Sequence, residues 1–181
     1  YVGTYMSRRI GQVEESVETL NTLGLKVKTH VYSRRKNRKA IHGLDISERG
    51  ISYTDNLLMS YHSKVLIDVH HGEHQGLSFR VFEALSFGKK LITTNQEIRR
   101  YDFYHPNNIF IWGNHTMDEL EAFLAAPVIP ALPHVLEKYS FSNWISYVLG
   151  KRRCQRIQLP SLEKDISVFA GPVPQPALAY K

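Results

Sequence analysis

Asp68-Val-His-His-Gly-Glu-His-Gln-Gly-Leu-Ser-Phe-Arg-Val-Phe-Glu-Ala-Leu-Ser-Phe-Gly88, continued by Lys-Lys-Leu-Ile-Thr-Thr94, is the stretch that decides the fold. Just ahead of it and at its start, Val65, Leu66, Ile67 and Val69 form a short aliphatic run, the composition of a parallel strand covered on both faces. A polar, glycine-bearing loop leaves that strand. A helix closed by Gly88 follows, and residues 91–94 read as the next buried strand. This order is the unit of a doubly wound sheet, in which ligands bind at the carboxyl ends of the strands.

The loop carries the chemistry. Gly76 lets backbone approach a bound group, and Ser78 stands where an N-cap is expected. Free N–H groups and the positive end of the helix dipole then favour phosphate. Arg80, in the first turn, offers a planar fork suited to a diphosphate, and Glu83, one turn on, suits a pair of sugar hydroxyls. Phe79, Phe82 and Leu85 are expected to face the core. An alternative reading makes Arg80 and Glu83 an i, i+3 ion pair of little weight on a surface.

With these residues in place, the chain resembles a known family. Gln75-Gly76-Leu-Ser-Phe-Arg-Val-Phe-Glu83-Ala-Leu, then Gly88 and an apolar strand, is similar to the donor-binding segment of GT-B glycosyltransferases. Retaining members typically run Glu-Gly-Phe-Gly-Leu-Pro, two residues, Glu-Ala. Glu83 stands where the family's ribose-binding glutamate stands. Gln75 replaces the glutamate that contacts the donor sugar, keeping hydrogen bonds but no charge. The phrase is similar to those of bacterial enzymes that build lipopolysaccharide and capsule.

The resemblance implies a Rossmann-like, doubly wound parallel α/β sheet, one half of a GT-B fold, over residues 1–150, with a basic, proline-containing tail over 151–181. It implies a glycosyltransferase moving a sugar from a nucleotide-diphosphate donor to a glycan or lipid-linked acceptor. His74, Gln75, Gly76, Leu77, Ser78, Arg80 and Glu83 are then the donor-binding residues. Thr4, Arg8 and Arg9, after the first strand, are weaker donor-phosphate candidates by position, and a solvated helix start accounts for the two arginines equally well. No metal and no cofactor beyond the donor is expected, and no catalytic residue is assigned. In the family the acceptor site and often the base lie in an N-terminal domain. Because the chain opens on Tyr1 rather than Met, that domain is expected upstream, and the chain by itself is expected to bind donor without turnover.

Outward from this centre, residues 1–4 read as the end of a first strand. Ile10, Val13, Val17, Leu20 and Leu23 recur at helical spacing up to Gly24. Residues 25–32 alternate as a strand, 34–52 read as an irregular polar loop, and 54–61 as a short helix. Beyond 94, a short helix at 97–101, a strand at 109–112 and a helix from the capping box Thr116-Met-Asp-Glu119 to about Ala126 are expected. Pro127, Pro130 and Pro133 break the chain before a last helix near 142–149. Tyr101, Tyr104 and Trp112 read as core or rim aromatics, and Asn95 as a pocket-lining residue. The tail from about 159 is expected to lack regular structure.

The 181 residues suffice for one domain, and 43% hydrophobic and 22% charged content is that of an ordinary globular protein. One cysteine, Cys154, excludes an internal disulfide, and a cytoplasmic location is expected, peripheral at the inner face of the membrane in one reading. A net charge of +6 attracts polyanions, and the clusters at 34–39 and 151–156 hold much of it. Without interleaved aromatics they do not read as a nucleic-acid surface. They read first as a solvated loop and terminus, and second as a contact with anionic lipid. His70, His71, Glu73 and His74 do not read as zinc ligands, because Gly72 and the preceding strand exclude the helical geometry that an i, i+4 pair needs. A non-catalytic nucleotide or sugar-binding module is the alternative function, kept open by Gln75. A nucleic-acid-binding domain, resting on charge alone, ranks last.

Overall fold

The computed structural model describes residues 1–36, 38–70, 76–151 and 153–157. Two three-stranded parallel sheets carry the fold. In the first, β1 (Val2–Thr4) and β3 (Ile46–Ser47) flank β2 (His30–Tyr32); in the second, β5 (Lys90–Thr93) lies between β4 (Val65–Asp68) and β6 (Ile109–Ile111). The helices are α1 (Ser7–Thr22), α2 (Tyr53–His62), α3 (Phe79–Phe87), α4 (Met117–Ala125), α5 (Pro133–Lys138) and α6 (Phe141–Val148), with a 3-10 turn at Gln96–Arg100.

The second sheet is covered on both faces, and its strands show why. Leu66 pairs with Leu91, which pairs with Ile109; one step along, Ile67 pairs with Ile92 and Ile92 with Phe110. Because side chains alternate, the two rows point to opposite faces. Ile67 and Ile92 join Val13, Val17 and Leu20 of α1 and Leu120 and Phe123 of α4 in one apolar cluster. Leu66, Leu91 and Ile109 join Val81 and Ala84 of α3, Ile98, Phe103, and Val135 and Tyr139 at α5 in the other. Burying each of the three α1 side chains contributes roughly 1.5–3 kcal/mol.

The caps are local. Gly88 closes α3 at φ 60°, and Gly24 follows α1 at φ 74°. Thr116 and Glu119 form the reciprocal capping box of α4.

Several expectations need correction. The second strand begins at His30, not at 25. Thr29 instead turns its hydroxyl to the Asp45 N–H at 2.7 Å, bringing in a strand, Ile46–Ser47, inside the stretch read as irregular. Pro133 starts a helix rather than only breaking the chain, since at the first helical position its missing N–H is no loss. Phe79 is 83% exposed, not buried. The tail beyond residue 157, with the call that it lacks regular structure, lies outside the described residues.

Candidate functional site

The loop between β4 and α3 is tied to the end of β5 by a closed ring of hydrogen bonds. Asp68, the last residue of β4, is 8% exposed and accepts the Ser78 hydroxyl at 2.8 Å on one oxygen and the Thr93 hydroxyl at 3.0 Å on the other. Thr93 in turn accepts the Asn95 N–H at 3.1 Å, and the Asn95 side-chain amide donates to the Gly76 carbonyl at 3.3 Å. The His70 N–H reaches the Thr94 hydroxyl at 2.8 Å, adding a second tie between the two strand ends. Asn95 also caps the 3-10 turn by accepting the Glu97 N–H.

Ser78 therefore has a different task from the one its position suggests. It occupies the N-cap site of α3, yet its hydroxyl is turned to Asp68 and no side chain caps the helix. Three of the expected residues, Gly76, Leu77 and Ser78, are brought together at the carboxyl ends of β4 and β5. Asp68 is a residue that the sequence reading passed over. Its signal was present: a carboxylate closing an apolar strand run must find partners when buried.

Arg80 and Glu83 lie on the inward side of the same helix. Arg80 Nη1 donates to Glu83 Oε2 at 2.6 Å and to the Ser60 hydroxyl, and Nη2 donates to Asn56 Oδ1 at 3.1 Å. Glu83 accepts further from Ser60 Oγ at 2.8 Å and Asn56 Nδ2 at 3.4 Å. With side-chain exposures of 13% and 9%, this pair is an internal fastening between α2 and α3. Arg80 also reaches the Val2 carbonyl of β1 at 3.5 Å, and it borders a cleft lined by Val2 on one side and Val65, Leu66 and Ile67 on the other. It thus stands at the seam between the two sheets.

The remaining candidates are placed as follows. Thr4 ends β1 and accepts at its carbonyl from Arg9 Nη2 at 2.7 Å, so these two close the β1–α1 turn on itself; Arg8 is exposed. His74 and Gln75, with His71 and Glu73, lie outside the described residues. Among the described residues, no group of three His, Cys, Asp or Glu side chains lies where it could share a metal ion, and no helix is long and apolar enough to cross a membrane. Tyr101 and Tyr104 pack at the edge of one apolar cluster and Trp112 lies inside the other.

Electrostatically, the described part of the site is not strongly cationic. The Arg80 charge faces Glu83, and Asp68 adds a buried negative charge. What it offers an anion is N–H dipoles at the start of α3, beside an accessible Gly76. No protein-family model, curated protein or solved structure matches this chain, so a functional reading rests on its own residues.

Proposed function

We propose that this chain is the nucleotide-sugar-binding half of a GT-B glycosyltransferase, with a nucleotide-diphosphate sugar as donor and a glycan or lipid-linked acceptor in bacterial surface-polysaccharide assembly. The observation that carries the reading is the ring joining Gly76, Ser78, Asp68, Thr93 and Asn95, which fixes an uncapped helix start over the ends of two parallel strands. The strand orders support it as well: set side by side, β3-β2-β1 and β4-β5-β6 give the order 3-2-1-4-5-6 of a doubly wound sheet, whose ligands sit where the order reverses. Arg80, which donates to the Val2 carbonyl of β1 and borders the cleft lined by Val65, Leu66 and Ile67 of β4, lies in this reading at that reversal.

In this reading the donor diphosphate lies against the N–H groups of residues 76–80, which stabilise the departing nucleotide without a metal. Arg80 and Glu83 take the diphosphate and ribose roles only by exchanging bonds they now make to Asn56 and Ser60. His74 and Gln75 contact the sugar. Transfer itself needs an acceptor site on a second domain, so the chain binds donor and does not turn over.

The test is calorimetric titration with UDP, GDP, CDP, TDP and ADP, repeated on Glu83→Gln, with a thermal melt of each protein. Selective binding of one nucleotide, at least tenfold weaker in a Glu83→Gln protein that still melts cooperatively, supports the proposal. Absence of binding by all five, or equal binding by the variant, contradicts it.

A further inference from the structure

The last helix among the described residues is oriented inside out. Phe141, Trp144, Ile145 and Val148 recur at i, i+3, i+4 and i+7, the spacing of a stripe that ordinarily faces a core. In α6 the buried residue is instead the polar Asn143, while Phe141 is 73% exposed, Trp144 50%, Tyr147 61% and Val148 57%. The orientation is fixed. Asn143 Nδ2 donates to the Lys138 carbonyl at 2.7 Å and the Gln155 carbonyl at 2.8 Å, and its Oδ1 accepts the Gln155 N–H at 2.7 Å. Ile157 then packs against the apolar cluster under α3 and α5, so the chain after α6 is held to the body at Gln155 and Ile157, a few residues past the exposed stripe. Lys151, Arg153 and Arg156 remain exposed on that segment, and no acidic residue occurs between 138 and 162.

We infer that α6 and the basic segment after it form a docking surface for an anionic lipid bilayer. The chemistry is complementary on both counts. Phe, Trp and Tyr side chains on one helix face suit the boundary between headgroups and acyl chains, and neighbouring lysine and arginine suit anionic headgroups. An eight-residue helix lies in the interface and does not span it. A protein partner or second copy would gain from the apolar stripe but has no need of an acid-free, basic margin. The inference is independent of the sugar-transfer reading, since it uses none of the residues of the β4–α3 loop.

The experiment is co-sedimentation of the chain with phosphatidylcholine vesicles and with vesicles containing 30% phosphatidylglycerol, paired with tryptophan fluorescence and sedimentation velocity. The chain has two tryptophans, and Trp112 is buried, so Trp144→Phe assigns any blue shift to the stripe. The expected result is binding to the anionic vesicles alone, with a blue shift absent in Trp144→Phe. Phe141→Ser/Trp144→Ser, and separately Lys151→Ser/Arg153→Ser/Arg156→Ser, should each weaken binding at least tenfold while leaving the circular-dichroism melt unchanged. Binding to neither vesicle, equal binding to both, or binding indifferent to these substitutions overturns the inference. So does a self-associated species that Phe141→Ser/Trp144→Ser dissolves, because a second copy would then cover the stripe.

Discussion

Arg80 and Glu83, one turn apart on α3, hold each other at 2.6 Å with 13% and 9% of their side chains exposed, and both are further bonded to α2. Removing one partner leaves a buried charge uncompensated, which typically costs about 3–5 kcal/mol. Glu83→Ala is therefore expected to destabilise the protein by about that amount, and Glu83→Gln, which keeps acceptors for Ser60, by less. Urea denaturation checks this. A Glu83→Ala protein as stable as the parent would show that the pair does not fasten α2 to α3.

Asp68 is the second fastening. Replacing it with Ala strands the hydroxyl of Thr93, which is fully buried, at a cost of about 1–3 kcal/mol, and releases Ser78 from the loop's anchor. Asp68→Asn retains an acceptor and should cost less. Amide hydrogen exchange at Leu77 and Ser78 is expected to quicken in Asp68→Ala by more than the change in global stability explains. Unchanged exchange there would sink the idea that Asp68 holds the loop.

On the turn after the 3-10 helix, Asp102 accepts from Lys138 Nζ and Tyr139 Oη, each at 2.7 Å. Burial pushes the Asp102 carboxyl up, but the hydrogen bonds from Lys138 and Tyr139 outweigh it and hold the group below its ordinary value of 3.8. Burial, and then the bond to Asp102, pushes the Tyr139 phenol above its ordinary value of 10.0. The signs oppose. A depressed carboxyl contributes stability above 3.8 that is lost as pH falls through its folded value; a raised phenol contributes stability below 10.0 that is lost as pH rises toward its folded value. The contact between α5 and the 102–104 turn is thus firmest between about pH 4 and 10. Asp102→Asn should flatten both limbs of the stability–pH curve, read by thermal melts from pH 3 to 11. A variant curve parallel to the parent's would contradict the assignment.

Much of the fold was legible because the signals were local. The aliphatic runs of β4 and β5 are fully covered strands, the spacing of Val13, Val17 and Leu20 is a buried helix stripe, and Gly24 and Gly88 take positive φ at helix ends. What escaped the sequence depends on distant partners. Ile46–Ser47 is a strand only because Val31 and Tyr32 pair with it, and residues 25–29 alternate like a strand but find no ladder. Phe79 defeats the expectation that it faces the core, and the α6 stripe shows the same limit: spacing shows that a face is apolar, not which way it is turned. At the site, glycine and serine marked the loop, and the Asp68 carboxylate closing an apolar run called for partners, which only the alignment of β4 and β5 identified as Ser78 and Thr93. The α2 residues Asn56 and Ser60, which fasten Arg80 and Glu83, carried no sequence signal at all.

The measurement that bears most directly on the central proposal is amide NMR of the labelled chain, titrated with the nucleoside diphosphate that calorimetry selects. The account predicts that the largest shift changes fall on Gly76, Leu77, Ser78 and Asn95, with smaller ones at Thr94. Largest changes elsewhere, on α6 or the 34–39 loop, or a spectrum indifferent to every nucleotide, would contradict it.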